Sequence, residues 1–380
     1  MKLSRRQWGL ATAALTGAAA ATSVGAQPAA AEAGFFRLEQ TKEGWTLKTP
    51  DGNPFFSIGL NHIDPATLRY AENIDIWRKK YGGSIERWLK EAVRPDLEAW
   101  GFNTAGWVQE VVTRTPTNHR HSRSFTFDEY QWLGMPYCHL LPFADFHQWE
   151  AETRHPNLMS KDFEEWCDYV ARADCAQFAG DRKLIGYFYI DCPTWVHTRP
   201  ECRWKGPLFD PERLSSEAGR RELFNLATRY YQVTHDAIRR YDKHHLIFGD
   251  RYEGRASLPE EVVQAAAPYV DVLSFQHFSS TDEIVSDLVR WNKLTGKPVL
   301  LADAARHITL PDGSRWHDPT WYGETLASLR QMPACVGFHL CGAYLRNRCR
   351  QRGLRDEREQ THSASLDAII AANRAAARTG

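Results

Sequence analysis

The chain has 380 residues, with 47 Lys and Arg balanced by 47 Asp and Glu, and 43% of it is hydrophobic. This composition excludes disorder, and zero formal net charge gives no electrostatic reason to bind nucleic acid or an anionic membrane surface. The length suits one large barrel or two modest domains. Aromatic residues make up 12% of the chain and include 14 Trp, which fits either an aromatic-rich core or a cleft that stacks on flat-faced ligands such as sugar rings.

Residues 1–31 read as an export signal. Met1 to Arg6 form a basic segment, Arg5 and Arg6 give a twin-arginine pattern, and the apolar run from Trp8 to Ala21 is too short and Ala-rich to span a bilayer. Cleavage is expected after Ala26 or Ala31, leaving a periplasmic or secreted protein in which residues 32–380 form a single catalytic domain. No later apolar stretch approaches 18 residues, so no membrane contact is expected after signal removal. The eight cysteines contain no C-x-x-C pair, which argues against a zinc ribbon or a thioredoxin-type site. An oxidising compartment permits disulfides, spacing does not assign them, and buried thiols are the simpler expectation.

After a turn-rich segment over residues 34–54, eight short apolar runs follow in order. They are Phe55–Asn61, Gly101–Trp107, Met135–Asp145, Leu184–Cys192, His245–Tyr252, Val270–Phe278, Pro298–Ala305 and Cys335–Tyr344. Near-continuous apolar runs predict strands covered on both faces, hence a parallel sheet with crossover helices. Helical spacing with Ser or Asp near the start marks 162–180, 215–242, 281–296 and 363–378. Between the second and third strands only FDEYQWLG suggests a short helix. Eight such units predict an α/β fold, a closed (β/α)8 TIM barrel, since GLNHIDP lacks the Gly-rich loop of a doubly wound sheet. The segment 34–54, with its PDGNP turn, predicts a small N-terminal β-hairpin capping the barrel floor.

Barrel chemistry sits at the carboxyl ends of the strands. Those ends carry Asn61, His62 and Asp64; Asn103 and Trp107; Asp145; Asp191, Cys192 and Trp195. They continue with Asp250, Arg251 and Glu253; Gln276 and His277; Asp303, Arg306 and His307; and His339 and Tyr344. Carboxylates, amides and imidazoles hydrogen-bond sugar hydroxyls, while Trp and Tyr stack on C–H faces. Trp204, Trp316 and Trp321 are further platforms, and the loops 113–127 and 195–211 are expected to shape the groove. Glycosidic cleavage needs two carboxyl groups flanking the bond. Asp191 after strand four and Asp303 after strand seven lie nearly opposite each other, so they are the expected catalytic pair, with Glu253 and Asp250 in reserve.

Four segments carry a resemblance to a known family: DGNPFFSIGLNHID, RPDLEAWGFNTAGW, LIGYFYIDCPTW and HHLIFGDRY. Together they resemble the clan A glycoside hydrolases of the β-agarase and β-galactosidase type. That family shows G-Y-F-x-D-N-E-x-x-W at strand four, and Gly186, Tyr187, Phe188 and Trp195 stand in register with it. The resemblance implies a retaining two-glutamate mechanism, but Cys192 stands at the acid/base position and Asp303 at the nucleophile position. A thiol is a poor donor to a glycosidic oxygen, so Asp191 is expected to donate the proton and Asp303 to act as base or nucleophile. The shorter Asp side chains predict a wider, inverting separation. The expected partner is a neutral poly- or oligosaccharide, with no cofactor. The alternative is a non-catalytic carbohydrate-binding barrel that has lost the glutamates. A metal hydrolase built on His62, His197, His277, His307 and His339 is disfavoured by the absence of H-x-H and H-E-x-x-H motifs.

Overall fold

The computed structural model describes residues 34–111, 121–144, 146, 156–193, 195, 212–254 and 257–378. The expected signal segment, Asp145, His197, Cys202, Trp204 and most of both groove-shaping loops lie outside them.

The chain enters through three short antiparallel strands, β1 (Arg37–Gln40), β2 (Trp45–Lys48) and β3 (Pro54–Phe55). The expected hairpin is therefore a three-stranded sheet. It does cap the floor: Phe36 and Leu47 join Ile185, Phe248, Leu300 and Val336 in one apolar cluster, and the Trp45 N–H donates to Pro333 O at 2.7 Å. The turn into β3 closes where PDGNP placed it, with the Gly52 N–H donating to Thr49 O at 2.9 Å and Gly52 at φ 88°.

The barrel strands are β4 (Ser57–Leu60), β5 (Thr104–Ala105), β6 (Tyr137–Leu140), β7 (Leu184–Asp191), β8 (Leu246–Glu253), β9 (Leu273–Gln276) and β10 (Val299–Ala304). After the two-stranded hairpin β11 (His307–Thr309) and β12 (Arg315–His317), β13 (Cys335–Leu340) completes the ring. All eight ring strands pair in parallel and close on themselves. Each of the eight apolar runs supplies one of them. Every residue of β7 is buried, as a strand covered by interior and helices must be.

The helices cover the outside. Between β4 and β5 the chain runs through α1 (Ile74–Tyr81), α2 (Ile85–Trp88), a π turn over Leu89–Val93 and α3 (Arg94–Trp100). The short helix α4 (Phe127–Leu133) starts at a capping box in which Thr126 and Glu129 satisfy each other's backbone N–H groups. The expected 162–180 helix breaks at Asp174 into α5 (Lys161–Ala173) and α6 (Cys175–Phe178). The 25-residue α7 (Glu217–Tyr241) and α8 (Glu260–Ala266) follow. Then come α9 (Thr281–Thr295), capped by Ser280 and closed by Gly296, α10 (Pro319–Gln331) and α11 (Ser363–Arg378). No helix among the described residues is long and apolar enough to cross a membrane.

The seven cysteines among the described residues are all free thiols. Three of the tryptophans expected as sugar platforms are packed away instead. Trp195 stands edge-on to Phe146 and Tyr230 at 5.4 and 5.6 Å, Trp321 lies against Phe338, and Trp316 stacks on His362. All three are buried. Trp195 and Trp321 cover apolar neighbours of the core, and burying one such ring stabilises by about 1.5–3 kcal/mol.

A polar layer crosses the barrel interior. His339 Nε2 lies 2.8 Å from Ser57 Oγ, whose hydroxyl donates to Thr104 Oγ1 at 2.8 Å. Gly59 and Gly106 make room for that imidazole: a Cβ would stand 2.3 Å from its ring at Gly59 and 2.8 Å from its Nδ1 at Gly106.

Burial holds His139, His317 and His339 down at about 3, with Arg352 adding to the effect at His317 and Arg251 at His339. The unfolded chain takes up protons on these rings below about 6.5, whereas the folded one refuses them. Stability should therefore be fully present above pH 6.5 and fall as the pH drops toward 3, by up to about 1.4 kcal/mol per pH unit for each ring. Thermal midpoints between pH 7.5 and 5 check this. His339→Gln should flatten the acid slope, and an unchanged slope would contradict the assignment.

Candidate active site at the barrel mouth

Strand alternation decides which side chains enter the barrel. On β8, Arg251 points in while Asp250 points out to α7, where it accepts from the hydroxyls of Tyr230 and Tyr231 at 2.9 and 2.7 Å. Asp250 is thus a strand-to-helix bond and not a reserve catalyst. Burial raises it to about 6, with the tyrosine hydroxyls pulling the other way.

Arg251 is fully buried and forms the centre of the site. Its Nη2 donates to Asp191 Oδ1 at 2.6 Å and lies 3.4 Å from Asp303 Oδ2. Its guanidinium covers the Trp107 ring at 4.1 Å. Gln276 Nε2 also donates to Asp191 Oδ1, and His121 Nε2 stands 3.7 Å from Oδ2. The two legs through Nη2 place the nearest oxygens of the two aspartates no more than about 6 Å apart, with the guanidinium between them. A cation, not a sugar-sized hollow, fills that gap. This corrects one expectation: Asp191 is the ion-pair partner of Arg251 and accepts from Gln276 rather than standing free to donate a proton.

Asp303 is held from both sides. The Asn61 amide donates to Oδ1 at 2.6 Å and to Ala302 O at 2.7 Å, while its own oxygen accepts from the Trp107 N–H. Burial opposes the charge on Asp303, but Arg251 and His62 overcome it and hold the carboxyl far below the usual carboxylate range. It is an anion at any working pH.

His62 sits at φ 58°, a left-handed backbone that turns the chain sharply after β4. Its Nδ1–H donates to Gln109 O at 2.5 Å, leaving Nε2 to face Asp303 Oδ2 and Cys341 Sγ, each at 3.8 Å. Burial and Arg350 work against a charge on the ring, yet Asp303, Cys341 and Glu110 outweigh them and push it up to about 9. Arg350 ties this corner together, donating to Glu110 Oε1 at 2.6 Å and to Cys341 Sγ at 3.2 Å. Glu110, His121, Cys341 and Arg350 were missed in the sequence because they sit in the loops after β5 and β13, beyond the strand ends, and share no motif. The one visible signal was the arginine-rich run from Arg346 to Arg352.

The remaining expected residues divide. Cys192 lies at the mouth with φ 47°, and its Sγ comes 4.0 Å from Glu253 Oε2. Burial, then Asp191 and Glu253, push its thiol well up, so it stays protonated. Glu253 ends β8 half-buried at the rim. Asn103 is not at the mouth: it precedes β5 and bonds the Ile58 N–H and Phe56 O at the opposite end of β4. His277 turns outward to Asp287 at 2.8 Å, His307 stands exposed on the β11–β12 hairpin, and His339 belongs to the interior layer. Trp195 is core. Asp145 lies outside the described residues.

A cavity of about 360 Å³ opens beside this centre, lined by Asp64, Arg69, Tyr70, Ser122, Arg123 and Phe125 among others. Burial raises the Asp64 carboxyl, against bonds from Ser122 and the Ala66 N–H. His62, Asp303 and Cys341 form the one group of donor atoms among the described residues close enough to share a metal ion.

No family model matches the chain, and no curated protein does. Among solved structures, an agarase superposes with a TM-score of 0.67 at 16% identity over 90% of this chain and 63% of its own. An exo-β-agarase does so with 0.67 at 15% over 93% and 66%. A β-galacturonidase from Eisenbergiella tayi gives 0.56 at 12% over 90% and 54%. The chain thus spans less than two thirds of these proteins' lengths. At such identities the likeness is one of fold.

Replacing Arg251 by Met should leave two buried carboxylates facing each other and cost about 3–5 kcal/mol at pH 7. The loss should shrink at pH 5, where protonation relieves the repulsion. Urea unfolding at both pH values measures it, and a loss below about 1 kcal/mol would show that the guanidinium is not the clamp.

Proposed function

We propose that this barrel hydrolyses a glycosidic bond in a neutral poly- or oligosaccharide, with Asp303 as nucleophile and Glu253 as proton donor. The observation that carries the reading is the state of Asp303. It is a carboxylate at the end of the seventh ring strand, oriented by Asn61 and kept ionised by Arg251 and His62. The agarase and galacturonidase folds support a sugar at this mouth. In the proposed reaction, Oδ2 of Asp303 attacks the anomeric carbon as the bond to the leaving oxygen breaks and that oxygen takes the Glu253 proton. Water then attacks the glycosyl–Asp303 ester, giving its proton to Glu253 and freeing Asp303. Glu253 comes to Cys192 from the neighbouring strand, and so brings a carboxyl to where the resembled family carries its acid/base glutamate. Asp191 positions Arg251. The Arg5–Arg6 signal supports action outside the cytoplasm.

A second reading rests on a specific observation: Asp191 and Asp303 are only 6% and 3% exposed and are joined through one guanidinium. That centre also suits a barrel that binds sugar without cleaving it.

A panel of neutral polysaccharides and oligosaccharides, with product stereochemistry followed by NMR, separates the two. Hydrolysis should proceed with retention. Asp303→Asn should lower kcat by about 10³-fold or more. Glu253→Gln should cost about 10²–10⁴-fold on natural linkages, and much less on aryl glycosides whose leaving group needs no proton. Tight calorimetric binding without product would favour the binder, and undiminished turnover by Asp303→Asn would refute the nucleophile.

A further inference from the structure

We propose that His62, Asp303 and Cys341 form a binding site for a divalent transition-metal ion of the zinc class, sharing the carboxylate oxygen assigned to nucleophilic attack. The three side chains come from the loop after β4, the end of β10 and the loop after β13. His62 Nε2 lies 3.8 Å from Asp303 Oδ2 and 3.8 Å from Cys341 Sγ, and the three donor atoms all fall within 4.8 Å of one another. A tetrahedral ion with bonds of about 2.0–2.3 Å holds its ligand atoms about 3.3–3.7 Å apart, so the two His62 edges close by a few tenths of an ångström and the Asp303–Cys341 edge by no more than about 1 Å. The fourth position is left for water.

Each ligand is already oriented by its other atoms, as ligands in metal sites are. The Nδ1–H of His62 is spent on Gln109 O, which turns Nε2 to the cluster. Asp303 Oδ1 is fixed by Asn61. The Cys341 N–H donates to Ala304 O at 3.0 Å, and its sulfur receives Arg350 Nη1 at 3.2 Å. One imidazole, one thiolate and one carboxylate suit zinc or cobalt rather than calcium or magnesium, which take oxygen shells. The charged groups facing the cluster are Arg350, held by Glu110; Arg251, held by Asp191; and Arg352, whose Nη2 stands 4.0 Å from Sγ. With a thiolate at Cys341, four anions and three guanidiniums leave a net negative charge for the ion to neutralise.

Only the effect on catalysis rests on the hydrolytic reading: an ion on Oδ2 blocks the attack, so metal inhibits and a chelator activates. Binding itself is tested without any sugar. The full-length protein, purified without chelator, is analysed for metal by mass spectrometry and then exchanged with Co²⁺. The expected result is one ion per chain, with a sulfur-to-cobalt charge-transfer band in the near ultraviolet. Cys341→Ser should abolish the band and weaken binding at least tenfold, whereas Cys349→Ser should keep both. Should Cys341→Ser fail to fold by circular dichroism, His62→Gln takes its place and should weaken binding in the same way while shifting the band. Absence of the band at saturating Co²⁺, or an undiminished band in Cys341→Ser, overturns the site. Cobalt binding in a protein that hydrolyses no glycoside, with or without chelator, would leave this site standing and refute the hydrolytic reading instead.

Discussion

A buried guanidinium clamped between two carboxylates organises everything at the mouth of this barrel. Arg251, on one of the two strands between them in the ring, reaches Asp191 and Asp303 and covers Trp107. An ion pair so deep gains Coulomb energy only if its remaining donors and acceptors are satisfied. Here they are: Gln276 takes up Asp191, Asn61 takes up Asp303, and Ala302 O accepts from Arg251 Nη1. Residues from five different strand ends are thereby locked to one cation, and the mouth is rigid and polar before any ligand arrives.

That clamp has a chemical consequence. It holds Asp303 as an anion and occupies Asp191 Oδ1 with donors from Arg251 and Gln276, so the proposed reaction does not use these two as its acid–nucleophile pair. On the proposed hydrolytic reading the proton donor is a group outside the clamp, and Glu253, at the rim beside Cys192, is the carboxyl so placed. Division of labour between carboxyls with opposite environments is the usual way a barrel runs acid and base chemistry at one pH.

Away from the mouth, residues that would be reactive elsewhere serve packing. Asp250 joins β8 to α7 through two tyrosines. His339 bridges strands through Ser57. Trp195 and Trp321 belong to the core between strands and helices, and Trp316 packs on the β11–β12 hairpin against His362 and Arg346. The abundance of aromatic residues is explained by this core as much as by any ligand.

The barrel was legible from the amino-acid order because burial on both faces forces continuous apolar runs, and each of the eight runs became a ring strand. Cap residues told where helices begin: Ser280 with Glu283, and Thr126 with Glu129, are local devices that act within four residues. The floor cap was likewise visible in its turn, though not its third strand, which only two residues form. Asn61, His62, Trp107, Arg251, Gln276 and Asp303 were identified at the mouth because they end strands and point inward. Asp250 and His277 share that neighbourhood in the chain but face the helices, since a step of one residue along a strand reverses direction, whereas Asn103 precedes its strand and Trp195, in the loop beyond β7, packs into the core. What the chain order determined by itself is the architecture, through short-range periodicity and capping. Which polar groups meet was decided by the closed ring alone, because Arg251 with Asp303, and His62 with Cys341, are separated by 52 and 279 positions and become neighbours only when strands far apart in sequence share one rim.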